Sequence, residues 1–458
     1  MAPHETEDGD KQGSVSSIPP PRIYSRDEHN VSRRNIDRDA LKIMYRLIRS
    51  GYQAYLVGGG VRDLLLDKAP KDFDIATDAR PNQIRTLFRN SRIIGRRFKL
   101  AHIYFRGNKI IEVATFRAEE TEEVPDSVDD STSKQITRDN TYGTAGTDAI
   151  RRDLTINALF YDLSTFSIID HVGGMEDLRK RLVRIIGEPD TRFAEDPVRI
   201  IRCVRHAVRA GFSIEERCYT SLMRNRALLK ECSQVRLYEE LRKDLHSGYC
   251  APILDQLGAA KLLPLYLPDL CLDGSTYFNQ DSDLYSALAR LDAIHREASE
   301  VSSTVFFALF ALLCGAPDIL SSELAARYES IHDLTDTLEH RFSEIALPRK
   351  ERERIEQLLA AWHVLLHSDP SQLRHQALSS NPQIEDLYYL FYATDIADEN
   401  KRLLRVLKQA LHSRKHKTDK RNGDSRGNGH RRVRGSVERG TKQRRRNRRR
   451  PAHKNNQD

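Results

Sequence analysis

The stretch KDFDIAT sets two aspartates, Asp72 and Asp74, one residue apart, about a dozen residues after three consecutive glycines, Gly58, Gly59 and Gly60. Side chains alternate across a strand, so residues i and i+2 share a face. Two carboxylates that close repel, and each raises the other's pKa unless something positive lies between them. Taken alone the pair reads as an exposed turn after Pro70. The glycines change that reading. A glycine turn lets backbone N–H groups approach a phosphate, and a helix opening there favours anions. Magnesium, whose usual partners are hard oxygens and substrate phosphates, would let both aspartates ionise together. Two such ions would activate an attacking hydroxyl and stabilise a leaving pyrophosphate. The chemistry indicated is phosphoryl transfer at a two-ion Mg²⁺ site on Asp72 and Asp74, with Gly58, Gly59 and Arg62 holding a triphosphate.

Two later stretches supply complementary groups. RRDLTIN offers Arg151 and Arg152 for phosphates, Asp153 for metal or sugar, and Asn157 for a ribose hydroxyl. EDPVRIIRCVRHA, read as one helix, places Glu195, Asp196 and Arg199 within a turn, where a carboxylate and a guanidinium could hydrogen-bond the edge of a nucleotide base. Arg202 and Arg205 continue a basic stripe suited to the triphosphate or a primer's 3′ end, while Ile200, Ile201, Val204 and Val208 face the core. In IIGRRFKLAHI, the residues Arg96, Arg97 and Lys99 form a basic patch beside the expected active-site strands, suited to an RNA backbone.

The motifs LVGGGVRDLLLDKAPKDFDIAT, IIEVATFR, RRDLTINAL, DHVGGMEDLRKRLVRIIG and EDPVRIIRCVRHA occur in that order. In this they resemble the nucleotidyltransferase superfamily that includes DNA polymerase β, in the branch holding tRNA nucleotidyltransferases (CCA-adding enzymes) and bacterial poly(A) polymerases. The resemblance is strong from about residue 40 to 212 and faint beyond. It implies an α+β fold: a polymerase β-like nucleotidyltransferase head with a mixed sheet, then an all-α neck and body. It also makes Glu112 a candidate third carboxylate and Asp153 a functional residue. Which of the two serves as third metal ligand stays open. The segment around residues 93–103 is similar to bacterial poly(A) polymerases, which implies ATP as substrate and RNA 3′ ends as acceptors. The alternatives are CCA addition to tRNA and a non-catalytic RNA-binding protein on a retired transferase head; against the latter, Asp72, Asp74, Glu112, Asp153 and Arg199 are all present.

Elements to position these residues can be read from periodicity. Leu41, Ile43, Met44, Leu47 and Ile48 have helical spacing, and Gly51 supplies a stop. Strands are expected in YQAYLVGG, KDFDIAT, SRIIGRRFKLAHIYF (as a pair) and KIIEVATFR, with helices in VRDLLLD and PNQIRTLFR. An acidic, Ser/Thr/Gly-rich excursion interrupts this unit near residues 118–147. From about residue 190 the pattern is helical, and TVFFALFALLCG, apolar nearly all round, reads as the centre of a bundle. The expected organisation is a disordered segment 1–35, a catalytic head 36–188, a neck 189–250 for base and RNA binding, an RNA-binding body 251–411 and a disordered tail 412–458.

The chain has 458 residues, 39% hydrophobic and 31% charged, with a net charge of +8. That charge is unevenly placed: residues 412–458 carry 18 Lys and Arg against 4 Asp and Glu, leaving 56 against 62 in the remainder. The tail has almost no apolar side chains, so it cannot build a core. Its arginines Arg444, Arg445, Arg446, Arg448, Arg449 and Arg450 suit RNA phosphates, with affinity falling steeply with salt. Six cysteines show no metal-ligand spacing and read as reduced thiols. No run is long enough to span a membrane. The sequence thus points to a cytoplasmic, monomeric enzyme working on RNA, with RNA-decay machinery as a further partner.

Overall fold

The computed structural model describes residues 20–95, 99–118, 142–268, 278, 280–297, 300–313, 342, 345–369, 372–394 and 401–414. Arg96, Arg97, most of the acidic excursion and the tail arginines Arg444–Arg450 lie outside the described residues.

Eight strands form one sheet. They are β1 (Arg22–Tyr24), β2 (Ala54–Val57), β3 (Asp74–Thr77), β4 (Ser91–Ile94), β5 (Leu100–Tyr104), β6 (Ile110–Thr115), β7 (Leu159–Asp162) and β8 (Ser167–Asp170). Their order is β1-β8-β7-β2-β3-β6-β5-β4. The β3–β6 pair is parallel and the other neighbours are antiparallel. Alternation along the strands divides the sheet into two faces. Leu56, Ile75 and Val113 point into the large core, against the helix α1 (Arg38–Arg49), which buries Ala40, Ile43, Met44 and Leu47. Val57, Ala76, Phe116 and Phe160 form a smaller cluster on the other face. The Asp37 carboxylate caps α1 by accepting from the N–H groups of Asp39 and Ala40 at 2.8 and 3.2 Å, which fixes the helix start.

Short helices α2 (Gly59–Leu65) and α3 (Pro81–Leu87) follow β2 and β3, and α4 (Ala145–Arg151) and α5 (Gly174–Lys180) bracket β7 and β8. From Pro189 the described chain is helical, save for Ser213–Ile214, which pairs in parallel with Leu182–Val183. The helices that bear on the site are α6 (Pro189–Glu195), α7 (Val198–Ala210), α8 (Glu216–Asn225) and α9 (Gln234–Leu245). Beyond them lie α10 (Cys250–Ala259), α11 (Asp283–Arg296), α12 (Ser303–Leu313), α13 (Arg349–Leu366) and α14 (Ile384–Ala393); α10 packs on α7 and α11, while α11, α13 and α14 pack around α12, every residue of which is buried. The large core cluster runs without a break from the sheet to these helices. Among the described residues no helix is long and apolar enough to cross a membrane.

Two expectations are corrected. The stretch 195–207 is not one helix: Pro197 separates α6 from α7, and Asp196 sits between them at φ −150°, ψ 88°. A residue before proline is pushed out of the helical region by the ring. The expected disorder of residues 1–35 fails over 20–35. There β1 adds an edge strand to β8, and Tyr24 and Val31 are buried, as is Ile36 directly after the segment. So few apolar side chains in a polar segment leave a disordered composition, yet they suffice where an edge strand and core are waiting. Tyr24 is 2% exposed, and the guanidinium carbons of Arg22 and Arg179 lie 4.7 and 5.2 Å from its ring centroid. Tyr24→Ala should therefore lower unfolding stability by about 3 kcal/mol, measured by urea denaturation; a midpoint unchanged from wild type would return this segment to a passive tail.

Candidate active site

The glycine run is where β2 ends and α2 begins. Gly58 has φ +74°, in the region that side chains rarely adopt, and a Cβ there would stand 3.4 Å from Arg152 Nη1 and 3.8 Å from Asp74 Oδ2. The turn thus sits against both a cation and a carboxylate. A Cβ on Gly60 would stand 3.1 Å from the Asp72 carbonyl oxygen. The third glycine lets the backbone before β3 run tight against α2, and this carries Asp72 and Asp74 to the turn.

Asp72 is not on the strand. The ladder begins at Asp74, opposite Val57, and Asp72 lies exposed in the bend before it. Glu112 reaches the same place from β6. The parallel register pairs Ile75 with Val113 and Ala76 with Ala114; one residue further back, Glu112 stands beside Asp74 on the shared face. The Asp74 carboxyl is pushed up to about 6 by burial first, then by Glu112 and Asp72, with Arg152 opposing. Glu112 Oε1 lies 3.0 Å from His102 Nε2. Among the described residues the carboxylates of Asp72 and Asp74 make neither a hydrogen bond nor an ion pair with protein.

That donor set fits a hard divalent cation: adjacent carboxylates, one disfavoured as an anion and none neutralised. No three His, Cys, Asp or Glu side chains among the described residues converge as a finished cage. Magnesium does not need one, since it is bound through one or two carboxylates with water and substrate phosphates completing the shell.

Asp153 lines the same cavity as Asp72 and Asp74 but, unlike them, is paired within the protein. Its carboxylate accepts from Arg199 Nε at 3.1 Å and from Arg202 Nη1. Two cavities meet at Arg152 and Asp153. The first, about 780 Å³, holds Gly58, Gly59, Arg62, Asp72, Asp74 and Asn157 on its walls, with Lys71, Arg209 and Arg242 facing them. The second, about 850 Å³, carries Glu195, Asp196, Arg199 and Arg202, with Arg236 from α9. The break at Pro197 does not separate the acid from the arginine. Arg199 Nη1 donates to Glu195 Oε2 at 2.8 Å and to the Arg192 carbonyl at 2.7 Å. Asp196 is held by Arg236.

Arg205 corrects the expectation for its stripe. It is 4% exposed and belongs to neither cavity; its guanidinium donates to Glu240 Oε2 at 2.6 Å and to Asp244. Helical spacing gave Arg199, Arg202 and Arg205 one face, but α9 covers its far end, so Arg205 holds α7 to α9 instead of meeting a ligand. Burial alone would raise the Glu240 carboxyl, but Arg202, Arg205 and Lys243 hold it far below the usual carboxylate range. Arg62 is likewise mostly spoken for: it donates from Nε and Nη2 to Asp63 at 2.9 and 2.7 Å and from Nη1 to Asn157 Oδ1 at 2.6 Å. Lys99 is exposed just before β5. Arg192, Arg236, Glu240 and His206 were missed by sequence reading; each lies outside the quoted motif positions or on a helix whose neighbour could not be named.

A mixed sheet with a glycine turn and strand carboxylates, continued by a helical half that shares its core, defines a nucleotidyltransferase. The family described as "Poly A polymerase head domain" matches residues 54–184, and "Probable RNA and SrmB- binding site of polymerase A" matches 211–272. Poly(A) polymerase I of Escherichia coli is 36% identical over 399 residues, covering 84% of each chain. That of Salmonella typhi is 40% identical over 346 residues, 72% of each. The CCA-adding enzyme of Bacillus pumilus is 35% identical over 223 residues, 49% of this chain and 53% of its own. Among solved structures, the Bacillus stearothermophilus CCA-adding enzyme in complex with CTP superposes with a TM-score of 0.55 at 26% identity, covering 82% of each chain. The chain belongs to the family of the bacterial poly(A) polymerases I.

The Asp74 carboxyl, raised from 3.8 to about 6, makes a prediction about stability. A raised carboxyl favours folding while protonated, and that contribution is lost as pH rises through the folded value. In the absence of divalent ions, Asp74→Asn should therefore raise the melting temperature at pH 8 and leave it unchanged at pH 3.5, as read by calorimetry. Equal shifts at both pH values would contradict the repulsion.

Proposed function

We propose that the protein is a template-independent polynucleotide adenylyltransferase, adding adenylate from ATP to RNA 3′ ends and releasing pyrophosphate. The observation that carries this reading is the match to proteins named poly(A) polymerase I across 84% of the chain, against about half for a CCA-adding enzyme.

Asp72 and Asp74 would hold the magnesium ions, with Glu112 as the third carboxylate. When bound, magnesium would lower the pKa of the primer's 3′-hydroxyl and offset the charge of the departing pyrophosphate. The rest falls to the chain. The Gly58–Gly59 turn, Arg62 and Arg152 receive the triphosphate. Asp153 serves the sugar side of the nucleotide, and Asn157, its oxygen taken by Arg62, stands on the wall of the first cavity. Glu195, Asp196 and Arg199 present donors and acceptors to the base edge, held in place by Arg192 and Arg236, and Arg202 steadies Asp153. The primer's hydroxyl attacks the α-phosphate in line, so positioning and charge account for most of the rate. Lys99, which is exposed, would bind the RNA backbone by charge together with Arg96, Arg97 and the arginines Arg444–Arg450. The reading further places the protein in the cytoplasm as a monomer that serves RNA processing and decay.

CCA addition is the second reading, favoured by the CTP-bound neighbour. Primer extension with Mg²⁺ and each single NTP separates the two, on an unstructured oligonucleotide and on a tRNA lacking its CCA end. Long ladders with ATP on both RNAs are expected, and Asp72→Ala or Asp74→Ala should leave less than a few per cent of the rate while the protein still binds RNA. Addition confined to the tRNA, needing CTP and ending after three nucleotides, would overturn the reading.

A further inference from the structure

One corner of the first cavity has a hydrogen-bonding pattern that the protein does not complete by itself. Here α2, the turn at Thr155–Asn157 and α7 meet. Arg62 Nη1 donates to Asn157 Oδ1 at 2.6 Å and lies 3.2 Å from His206 Nδ1, while Asn157 Nδ2 lies 3.4 Å from His206 Nε2. These contacts cannot all be hydrogen bonds. A neutral imidazole has one acceptor nitrogen, and an arginine has donors only. The charged donor at the shorter distance takes that acceptor, so Nδ1 faces Arg62 and the proton sits on Nε2. The ring stays neutral because burial, then Arg62, Arg205, Arg209 and Arg202, disfavour a second proton. Asn157 cannot turn its oxygen toward Nε2 without losing Arg62. Two donors, Asn157 Nδ2 and His206 Nε2–H, therefore face one another with no acceptor between them.

Arg209 adds to the imbalance. It lies one turn on from His206 and is largely desolvated. Among the described residues its guanidinium makes neither a hydrogen bond nor an ion pair. The nearby acid, Asp63, is already taken by Arg62 Nε and Nη2. All these side chains line the same cavity. A corner made of donors and an unpaired cation calls for a group that only accepts and carries negative charge. A hydroxyl would demand an acceptor in return; phosphate oxygens would not.

We propose that His206 and Arg209 bind the pyrophosphate portion of the incoming nucleoside triphosphate, with Asn157 Nδ2 and His206 Nε2–H donating to its oxygens and Arg209 supplying charge. The proposal deepens the adenylyltransferase reading and rests on it for the source of the phosphate. It makes α7 bifunctional, with Arg199 on the base side and His206 and Arg209 at the phosphate end.

The test is calorimetric binding of inorganic pyrophosphate with Mg²⁺, and separately of an oligoribonucleotide, to wild type, His206→Phe and Arg209→Gln. Losing one hydrogen bond to a charged group should weaken pyrophosphate binding about tenfold in each variant, with RNA affinity changed less than twofold. Arg209→Gln removes no side-chain hydrogen bond among the described residues and so guards against a folding defect in His206→Phe; matched urea midpoints check both. Pyrophosphate affinity unchanged in both variants would overturn the proposal. Weakened RNA binding with pyrophosphate unaffected would also overturn it, assigning the corner to the RNA backbone. A weakened response in one variant alone would remove the other residue from the site. If wild type added no nucleotide to any primer, the adenylyltransferase reading would fail, while pyrophosphate binding would still report on this corner.

Discussion

Everything at the site is arranged around three carboxylates that repel. Asp74 and Glu112 reach one face of the sheet from two parallel strands, with Asp72 in the bend before the first, and the price is visible in the Asp74 carboxyl, pushed up to about 6. A fold does not keep such a cluster for stability, since burying an uncompensated carboxylate is unfavourable. The glycines that precede it serve the same arrangement. Gly58 takes a backbone conformation closed to most residues, and Gly60 makes room for the Asp72 carbonyl. Arg152, the cation that bears on Asp74 among the described residues, is itself shared with Asp148 at 3.0 Å. The remaining charge is left for a ligand to answer.

The helical half supplies the opposite logic, with charges matched almost one for one. Asp153 takes Arg199 and Arg202, Arg202 passes to Glu240, and Glu240 and Asp244 hold Arg205. This chain of ion pairs runs from the sheet side of the site through α7 into α9. Buried pairs of this kind add little net stability, but removing one member leaves the other uncompensated, at a cost of about 3–5 kcal/mol. Their value here is geometric. Arg199 and Glu195 are fixed in advance, so a ligand of that cavity would have less to order on binding. The two cavities meet where the unmatched and matched charges touch, at Arg152 and Asp153.

How far the sequence disclosed this depends on whether a property is local. The glycine turn, the strand pair β4–β5 and the α1 face follow from neighbours in the chain, and all were legible. The grouping of Glu112 with Asp74 needed the parallel register between β3 and β6, which no local pattern states; only the family resemblance raised it. Asp153 lines both cavities, but its partners are Arg199 and Arg202, 46 and 49 residues away. Arg205 looked like its neighbours on the helical stripe because burial by α9 is a tertiary fact. The break at Pro197 was visible as a proline, yet the run of amphipathic spacing concealed it. His206 gave no signal at all, since a histidine on a helix has meaning only through what stands opposite.

The central claim is that Asp74, disfavoured as an anion by burial and by Glu112 and Asp72, would give up its proton to a divalent cation. It is tested most directly by calorimetry of Mg²⁺ binding at pH 6 in buffers of different ionisation enthalpy, which counts protons released. With Asp74 titrating at about 6, binding should release about half a proton at pH 6 and almost none at pH 8, with affinity falling below pH 6. Binding that releases no proton at pH 6, at an affinity independent of pH from 5 to 8, would contradict it.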